Sequence, residues 1–141
     1  MIQRLINPAN IFLSGYSWLK SSVTGTPVIK GMPVSVSVEL TNICNLKCPE
    51  CTTGSGRMIR KKGYMEIELF NKIIRELSPF LTNINLYFQG EPMLHPDFFT
   101  FIENCSGIHS VVSTNGHFLT EENAAKIVKS KLSKLIISLD G

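Results

Sequence analysis

The chain has 141 residues, 43% of them hydrophobic and 18% charged, with a net charge of +3. That is ordinary for one globular domain able to bury a core of its own, and the charge is too slight to point to nucleic acid or an anionic membrane. No apolar run approaches the ~20 residues that cross a bilayer, and the first twenty residues lack the continuous apolar stretch and small-residue cleavage site of a signal peptide.

The elements follow in chain order. Residues 10–20 read as an amphipathic helix with Ile11, Phe12, Tyr16 and Leu19 on one side. That face is expected to dock on the rest of the protein, with Tyr16 and Trp18 packing the helix. A turn-rich stretch over 25–33 leads into strict alternation at 34–40, where Val34, Val36, Val38 and Leu40 oppose Ser35, Ser37 and Glu39. Such alternation predicts a strand. Over 65–80, Ile67, Phe70, Ile73, Ile74 and Leu77 recur with the period of a helix. A second strand at 84–89 sets Ile84, Leu86 and Phe88 against Asn85, Tyr87 and Gln89. The next helix has Pro96 in its first turn, Phe98, Phe101, Ile102 and Cys105 on one face, and Gly107 as its stop. A third strand covers 110–114, and a third crossover helix is capped by Thr120 with Glu121 and Glu122 at its positive end. A fourth strand covers 135–140.

The order βαβαβαβ predicts a parallel sheet with right-handed crossovers. A doubly wound sheet would be apolar on both faces of its strands. Here one face carries Ser35, Ser37 and Glu39, then Asn85, Tyr87 and Gln89, then Ser138 and Asp140, which favours a barrel lined with polar groups. The expected fold is therefore α/β: the first four strands of a partial (β/α) TIM-like barrel, preceded by an N-terminal helical segment. The expected division is 1–33 as the extension and 34–141 as the front part of a core. Four strands leave an unpaired edge, which native sheets avoid, so the sequence reads as a piece of something longer.

Four cysteines occur, three of them in Cys44-Asn-Leu-Lys-Cys48-Pro-Glu-Cys51. In a chain without secretory features this crowding points to a metal or redox site, in the cytoplasm, rather than to disulfides. Three thiolates on one loop can take three irons of a cubane cluster and leave the fourth iron open. A structural zinc knuckle completed by His95 or Cys105 is the alternative, although Cys105 belongs to an apolar helix face and reads as a core residue.

Three smaller motifs stand at strand ends: Gln89-Gly90-Glu91-Pro92, Ser113-Thr114-Asn115-Gly116 and Ser138-Leu139-Asp140-Gly141. Each alone is an ordinary turn. Their placement after successive parallel strands is what barrel active sites share.

The cysteine triad directly after a first strand, followed by these motifs, resembles the radical S-adenosylmethionine (SAM) superfamily over roughly residues 34–141. The resemblance implies an oxidoreductase-type enzyme in which Cys44, Cys48 and Cys51 bind a [4Fe–4S] cluster. SAM is chelated at the open iron and reductively cleaved to a 5′-deoxyadenosyl radical that abstracts hydrogen from a substrate. It also assigns SAM contacts. Glu50 stands where relatives usually have an aromatic residue and contact adenine through the backbone. Gln89, Gly90 and Glu91 stand where the family's Gly-Gly-Glu-Pro loop receives the methionine amino group, Gln89 replacing the first glycine; Glu91 either accepts from SAM or braces the loop. Ser113 and Asn115 are placed near the ribose or methionine, Ser138 at the ribose or carboxylate, and Asp140 at SAM or in a structural role. The implied partners are a reduced flavodoxin or ferredoxin as electron donor and, in relatives that carry a C-terminal domain with auxiliary clusters, a peptide or protein substrate. A degenerate relative that holds the cluster without turnover is the remaining alternative. The basic run over 54–63 reads as a solvated loop, with Arg57, Arg60, Lys61 and Lys62 as secondary candidates for an acidic substrate or the electron donor.

Overall fold

The computed structural model describes residues 7–139. Four strands, β1 (Ser35–Ser37), β2 (Asn83–Asn85), β3 (His109–Thr114) and β4 (Lys134–Ile137), form one sheet in the order β1-β2-β3-β4. Every pairing is parallel, with Val36 opposite Ile84, Ile84 opposite Ser110 and Val112 opposite Leu135. Helices α2 (Ile67–Leu77), α3 (Phe98–Asn104) and α4 (Glu121–Lys129) are the crossovers, and a 3-10 turn, Pro92–Leu94, precedes α3. The parallel α/β order predicted from alternation and period is the one observed. Pairing also runs past the strand ends: the Val38 amide donates to the Asn85 carbonyl and the Leu86 amide to that of Val111, both at 2.8 Å.

The two faces of the sheet differ as the alternation requires. On the helix side, Val38, Leu40, Ile84, Leu86 and Val112 pack with Phe70, Phe98, Phe101 and Ile102 in a single core. On the other side the polar residues bond laterally across the strands. The Asn83 amide donates to Ser35 Oγ at 3.1 Å, Asn85 to Ser37 Oγ at 3.1 Å, and the Ser113 and Ser138 hydroxyls lie 3.2 Å apart. Two details depart from the alternation. β2 leaves the ladder early, and Phe88, expected beside Leu86, is 71% exposed because the chain has already turned toward the site. The expected helix at Pro96 begins at Phe98, since Pro96 falls between the 3-10 turn and α3.

The N-terminal helix corrects an expectation. Helix α1 (Pro8–Thr24) is capped by Asn7, whose side chain accepts from the Asn10 amide, and ends at Gly25 in the left-handed region. Its polar stripe faces inward onto the returning segment 28–32. Asn10 exchanges two hydrogen bonds with the Met32 backbone at 2.7 and 2.9 Å, and Ser17 and Ser21 accept from the Lys30 and Val28 amides at 2.8 Å. Those unpaired amides select the serines over the apolar side chains. Ile11, Phe12, Tyr16, Trp18 and Leu19 are all exposed instead of docked.

The core is held by aromatic edges. Phe101 is fully buried, with T-shaped contacts to Phe70 and to His95, both at 4.7 Å between centroids. Phe101→Ala is therefore expected to lower stability by about 3–5 kcal/mol through lost burial and the cavity left behind. Val128→Ala, at a side chain 84% exposed, should stay within about 0.5 kcal/mol. Urea denaturation of both variants checks the contrast.

Candidate functional site

The cysteine loop leaves the C-terminal end of β1 and is fixed at its base by two buried polar residues. Asn42 accepts from the Gly63 amide and donates to the Lys61 carbonyl, both at 2.9 Å, while Thr41 Oγ1 donates to the Gly63 carbonyl at 2.8 Å and accepts from the Ile43 amide at 3.1 Å. A Thr41–Tyr64 bridge and a 2.8 Å bond from the Met65 amide to the Leu40 carbonyl close the same seam. The basic segment 54–63 is thus stitched back at its end, so that both feet of the long excursion from β1 to α2 are clamped. The motif reading did not single out Asn42 or Thr41. Their only mark in the sequence is a Thr-Asn pair interrupting an apolar strand end.

Within the loop, Cys44, Cys48 and Cys51 are free and half-buried. The Leu46 amide approaches Cys44 Sγ at 3.4 Å, and the Cys51 amide bonds the Cys48 carbonyl at 3.2 Å. Among the described residues no three His, Cys, Asp or Glu side chains are drawn together tightly enough to hold a metal ion as they stand. The loop supplies a donor set of three accessible thiols on one short segment. Soft thiolates are the ligands of iron–sulfur clusters, so the donor set fits that group. The zinc alternative fares worse, because both proposed fourth ligands are engaged elsewhere. His95 is buried, its Nδ1 accepting from the Asp97 amide at 3.0 Å and its Nε2 lying 3.0 Å from the Met65 carbonyl. The Asp97 donor fixes the tautomer that donates through Nε2. Cys105 is buried among apolar side chains, which push its thiol up to about 12 and keep it protonated.

The loop after β2 lies flat against the cysteine loop. Gly90 has φ 74°, and a Cβ there would collide with the Thr41 carbonyl oxygen and lie 2.8 Å from that of Ile43. Only glycine satisfies both demands. The Glu91 amide then donates to the Ile43 carbonyl at 2.8 Å.

Glu91 is the pivot of the site. The residue is 1% exposed. Oε1 accepts from Thr114 Oγ1 at 2.7 Å and from the Met93 amide at 3.1 Å, and Oε2 accepts from the Asn115 amide at 2.8 Å. Of the two roles open to it, the geometry favours bracing: its acceptors are directed at this chain's own donors, and it ties the loop after β2 to the loop after β3. Asn115 in turn donates from Nδ2 to Asn45 Oδ1 at 2.9 Å, with Cys44 Sγ 3.9 Å away.

Gln89 closes the opposite flank. Its Oε1 accepts from Thr53 Oγ1 at 3.0 Å and faces Cys51 Sγ at 3.9 Å, and its backbone N–H donates to Glu39 Oε2 at 3.2 Å. Glu39 also receives Arg60 in a two-point pair at 2.8 and 3.0 Å. The hydrogen bond to Glu39, and then its charge, raise the Arg60 pKa. Arg57 bonds Ser55 Oγ and the Pro49 carbonyl, so one arginine of the basic run is spent on the loop and the other on Glu39, while Lys61 and Lys62 are exposed.

The other anticipated residues fall as follows. Glu50 is exposed, and its carbonyl accepts from Arg57 at 3.4 Å. Ser113 and Ser138 share the polar face of the sheet at its C-terminal end. Asp140 lies outside the described residues. Cys44, Cys51, Gln89, Gly90, Glu91 and Asn115 come together in one network, whereas Glu50 and the Ser113–Ser138 pair stand at its margins.

A family model described as the radical SAM superfamily matches residues 38–141. The chain is 36% identical over 114 residues to mycofactocin maturase MftC of Mycobacterium ulcerans, a match covering 77% of this chain and 30% of that protein. It is 30% identical over 111 residues to the AdoMet-dependent heme synthase of Methanosarcina barkeri, covering 77% and 32%. The chain thus spans about a third of the length of these curated relatives. Among solved structures it superposes on BtrN in complex with AdoMet and 2-DOIA with a TM-score of 0.69 at 25% identity, covering 77% of this chain and 46% of that one. Streptococcus suis SuiB bound to precursor peptide SuiA shares the fold, with a TM-score of 0.66 at 17% identity over 99% of this chain and 31% of that one. With a family match running from Val38 to the last residue and a relative sharing more than a third of the aligned positions, the chain belongs to the radical SAM superfamily.

Proposed function

We infer that this chain is the cluster- and SAM-binding part of a radical SAM enzyme, residues 34–141 forming the front of its core and 1–33 an extension. The observation that carries the reading is that three free thiols lie on one short segment, two of them against a pair of carboxylate-braced loops at the C-terminal end of a parallel sheet. Cys44, Cys48 and Cys51 would hold a [4Fe–4S] cluster. Together with SAM, that group supplies reductive cleavage of the sulfonium to a 5′-deoxyadenosyl radical able to take a hydrogen atom from a substrate.

What the chain's own residues do follows from the site. Gly90 removes side-chain bulk so that backbone packs on backbone, leaving the strand-end carbonyls near Gln89 to receive an ammonium such as SAM's. Glu91 holds the two loops in register. The Ser113 and Ser138 hydroxyls, on the polar face beyond the network, are suited to a ribose or carboxylate. The exposed backbone around Glu50 is suited to an adenine edge, and Asp140 completes the set of assigned SAM contacts. Closure of such a site excludes water from a reactive intermediate, while the cofactor carries the difficult chemistry. The maturase MftC and the SuiB complex with its precursor peptide support a peptide or protein substrate for this chain. A reduced flavodoxin or ferredoxin would supply the electron, in the cytoplasm. Among the described residues no helix is long and apolar enough to cross a membrane.

Three outcomes are expected. Anaerobic reconstitution should yield one oxygen-labile cluster, read as iron content and as an EPR signal after reduction, and Cys→Ala at position 44, 48 or 51 should remove most of it. Stoichiometric zinc without iron would overturn the reading. Ser138→Ala should weaken SAM binding by about 1 kcal/mol, the net worth of one hydrogen bond, with iron content unchanged; calorimetric titration against the loaded protein measures it. Glu91→Gln turns an amide N–H toward one of three donors, leaving a clash where an acceptor stood. It should cost about 1–3 kcal/mol of stability, seen as a lowered urea midpoint in the unloaded chain. A midpoint equal to that of the unsubstituted protein would show that the carboxylate braces nothing.

A further inference from the structure

We propose that Asn115 is a positioning residue that donates a hydrogen bond to the Cys44 sulfur and so sets the reduction potential of the cluster that sulfur would bind. The inference rests on the cluster-binding reading above and assigns Asn115 to the cluster's first cysteine, not to SAM.

The amide's orientation is what carries it. Asn115 Oδ1 accepts from the His117 amide at 3.0 Å. A backbone N–H can only donate, so the oxygen of this side chain is fixed on that side and the NH2 group must face the other way. There, one proton goes to Asn45 Oδ1 at 2.9 Å, while Cys44 Sγ stands 3.9 Å from the same nitrogen. The backbone that carries this side chain is anchored too, its amide held by Glu91 Oε2 at 2.8 Å. Cys44 therefore faces two N–H groups, from Asn115 and from Leu46, with Asn45 Oδ1 also 4.0 Å from its sulfur. The third cysteine differs. Cys51 faces the Gln89 oxygen, and Gln89's other contact there is the Thr53 hydroxyl, which donates or accepts equally well. That amide is free to turn over. Asn115 is the side-chain donor whose direction is locked.

An N–H dipole aimed at a cluster thiolate favours the form with more negative charge on sulfur, which is the reduced one. Removing the donor should make reduction harder. Replacing it with a carboxylate, which keeps an acceptor for the His117 amide, should make it harder still.

The test is potentiometric, followed by EPR on the anaerobically reconstituted chain without SAM, comparing the unsubstituted protein with N115A and N115D. Both variants are expected to take up the same iron and to show a midpoint shifted to more negative potential. The shift expected for N115A corresponds to about a tenfold fall in the reduced-to-oxidised ratio, ~59 mV for a one-electron couple, with N115D displaced further. Loaded variants that titrate with the unsubstituted protein overturn the inference while leaving the cluster reading intact. Iron lost from both variants also overturns it, since Asn115 would then be needed to assemble the site and not to tune it. If N115D alone fails to load, the midpoint of N115A decides. An unsubstituted chain that takes up no iron overturns this inference and the cluster reading together.

Discussion

A single buried carboxylate holds the functional end of this sheet together. A charge withdrawn from water is costly unless donors surround it, and Glu91 has three donors within 3.1 Å from the strand-end hydroxyl and two backbone amides. One belongs to the last residue of β3, one to the loop that follows it, and one to the loop of Glu91 itself. Parallel strands carry no hairpin turns to fix where their C-terminal loops lie, so those loops need a link of their own. Glu91 is that link. Thr114, itself buried, also accepts from the Gly116 amide at 3.2 Å, so the turn that presents Asn115 is organised around the same carboxylate.

The cysteine loop is built on this frame from the other side. Thr41 and Asn42 secure its feet through side-chain bonds to 61–63, and Gly90 lets the loop after β2 rest directly on residues 41–43. Among the described residues no buried side-chain nitrogen or oxygen lacks a partner. That complete pairing is what makes a polar network stiff enough to position ligands, since a partly satisfied one would relax toward water.

The sheet was legible in the sequence because its period is simple. Alternation at 34–40 and 110–114 and the apolar period within 65–80 are local signals, and β1, β3 and α2 formed at those places, β1 and α2 shorter than their patterns. Thr120 capped its helix as its type and place indicated. The site was legible in part. Cysteine spacing and the Gly-Glu-Pro sequence mark themselves, but the Glu91–Thr114 bond joins residues 23 apart in sequence, and nothing local in either segment records the pairing. The N-terminal helix shows the same gap from another direction. Its apolar stripe was plain, yet the amides of Val28, Lys30 and Met32 bonded the polar stripe of Ser21, Ser17 and Asn10 instead, and periodicity contains no information about which neighbour arrives first.

The two departures from the family's usual residues have a physical account. Gln89 replaces a glycine, which matters only if the backbone there needs a left-handed conformation or open space. Among the described residues every positive φ belongs to glycine, so Gln89 sits in ordinary backbone while Gly90 alone takes the left-handed turn. The glutamine side chain then reaches Thr53 and Cys51, adding a lateral tie that a glycine lacks. Glu50 replaces an aromatic residue at a position that is exposed. No core contact depends on an aromatic ring there, and the backbone carbonyl, bonded by Arg57, keeps its place. The loop is therefore held by groups that neither substitution removes: the Asn42 and Thr41 clamps, the Arg60–Glu39 pair and the glycine beside Glu91. The sequence departs at two of the motif's letters while the interactions those letters usually accompany are supplied by the residues around them.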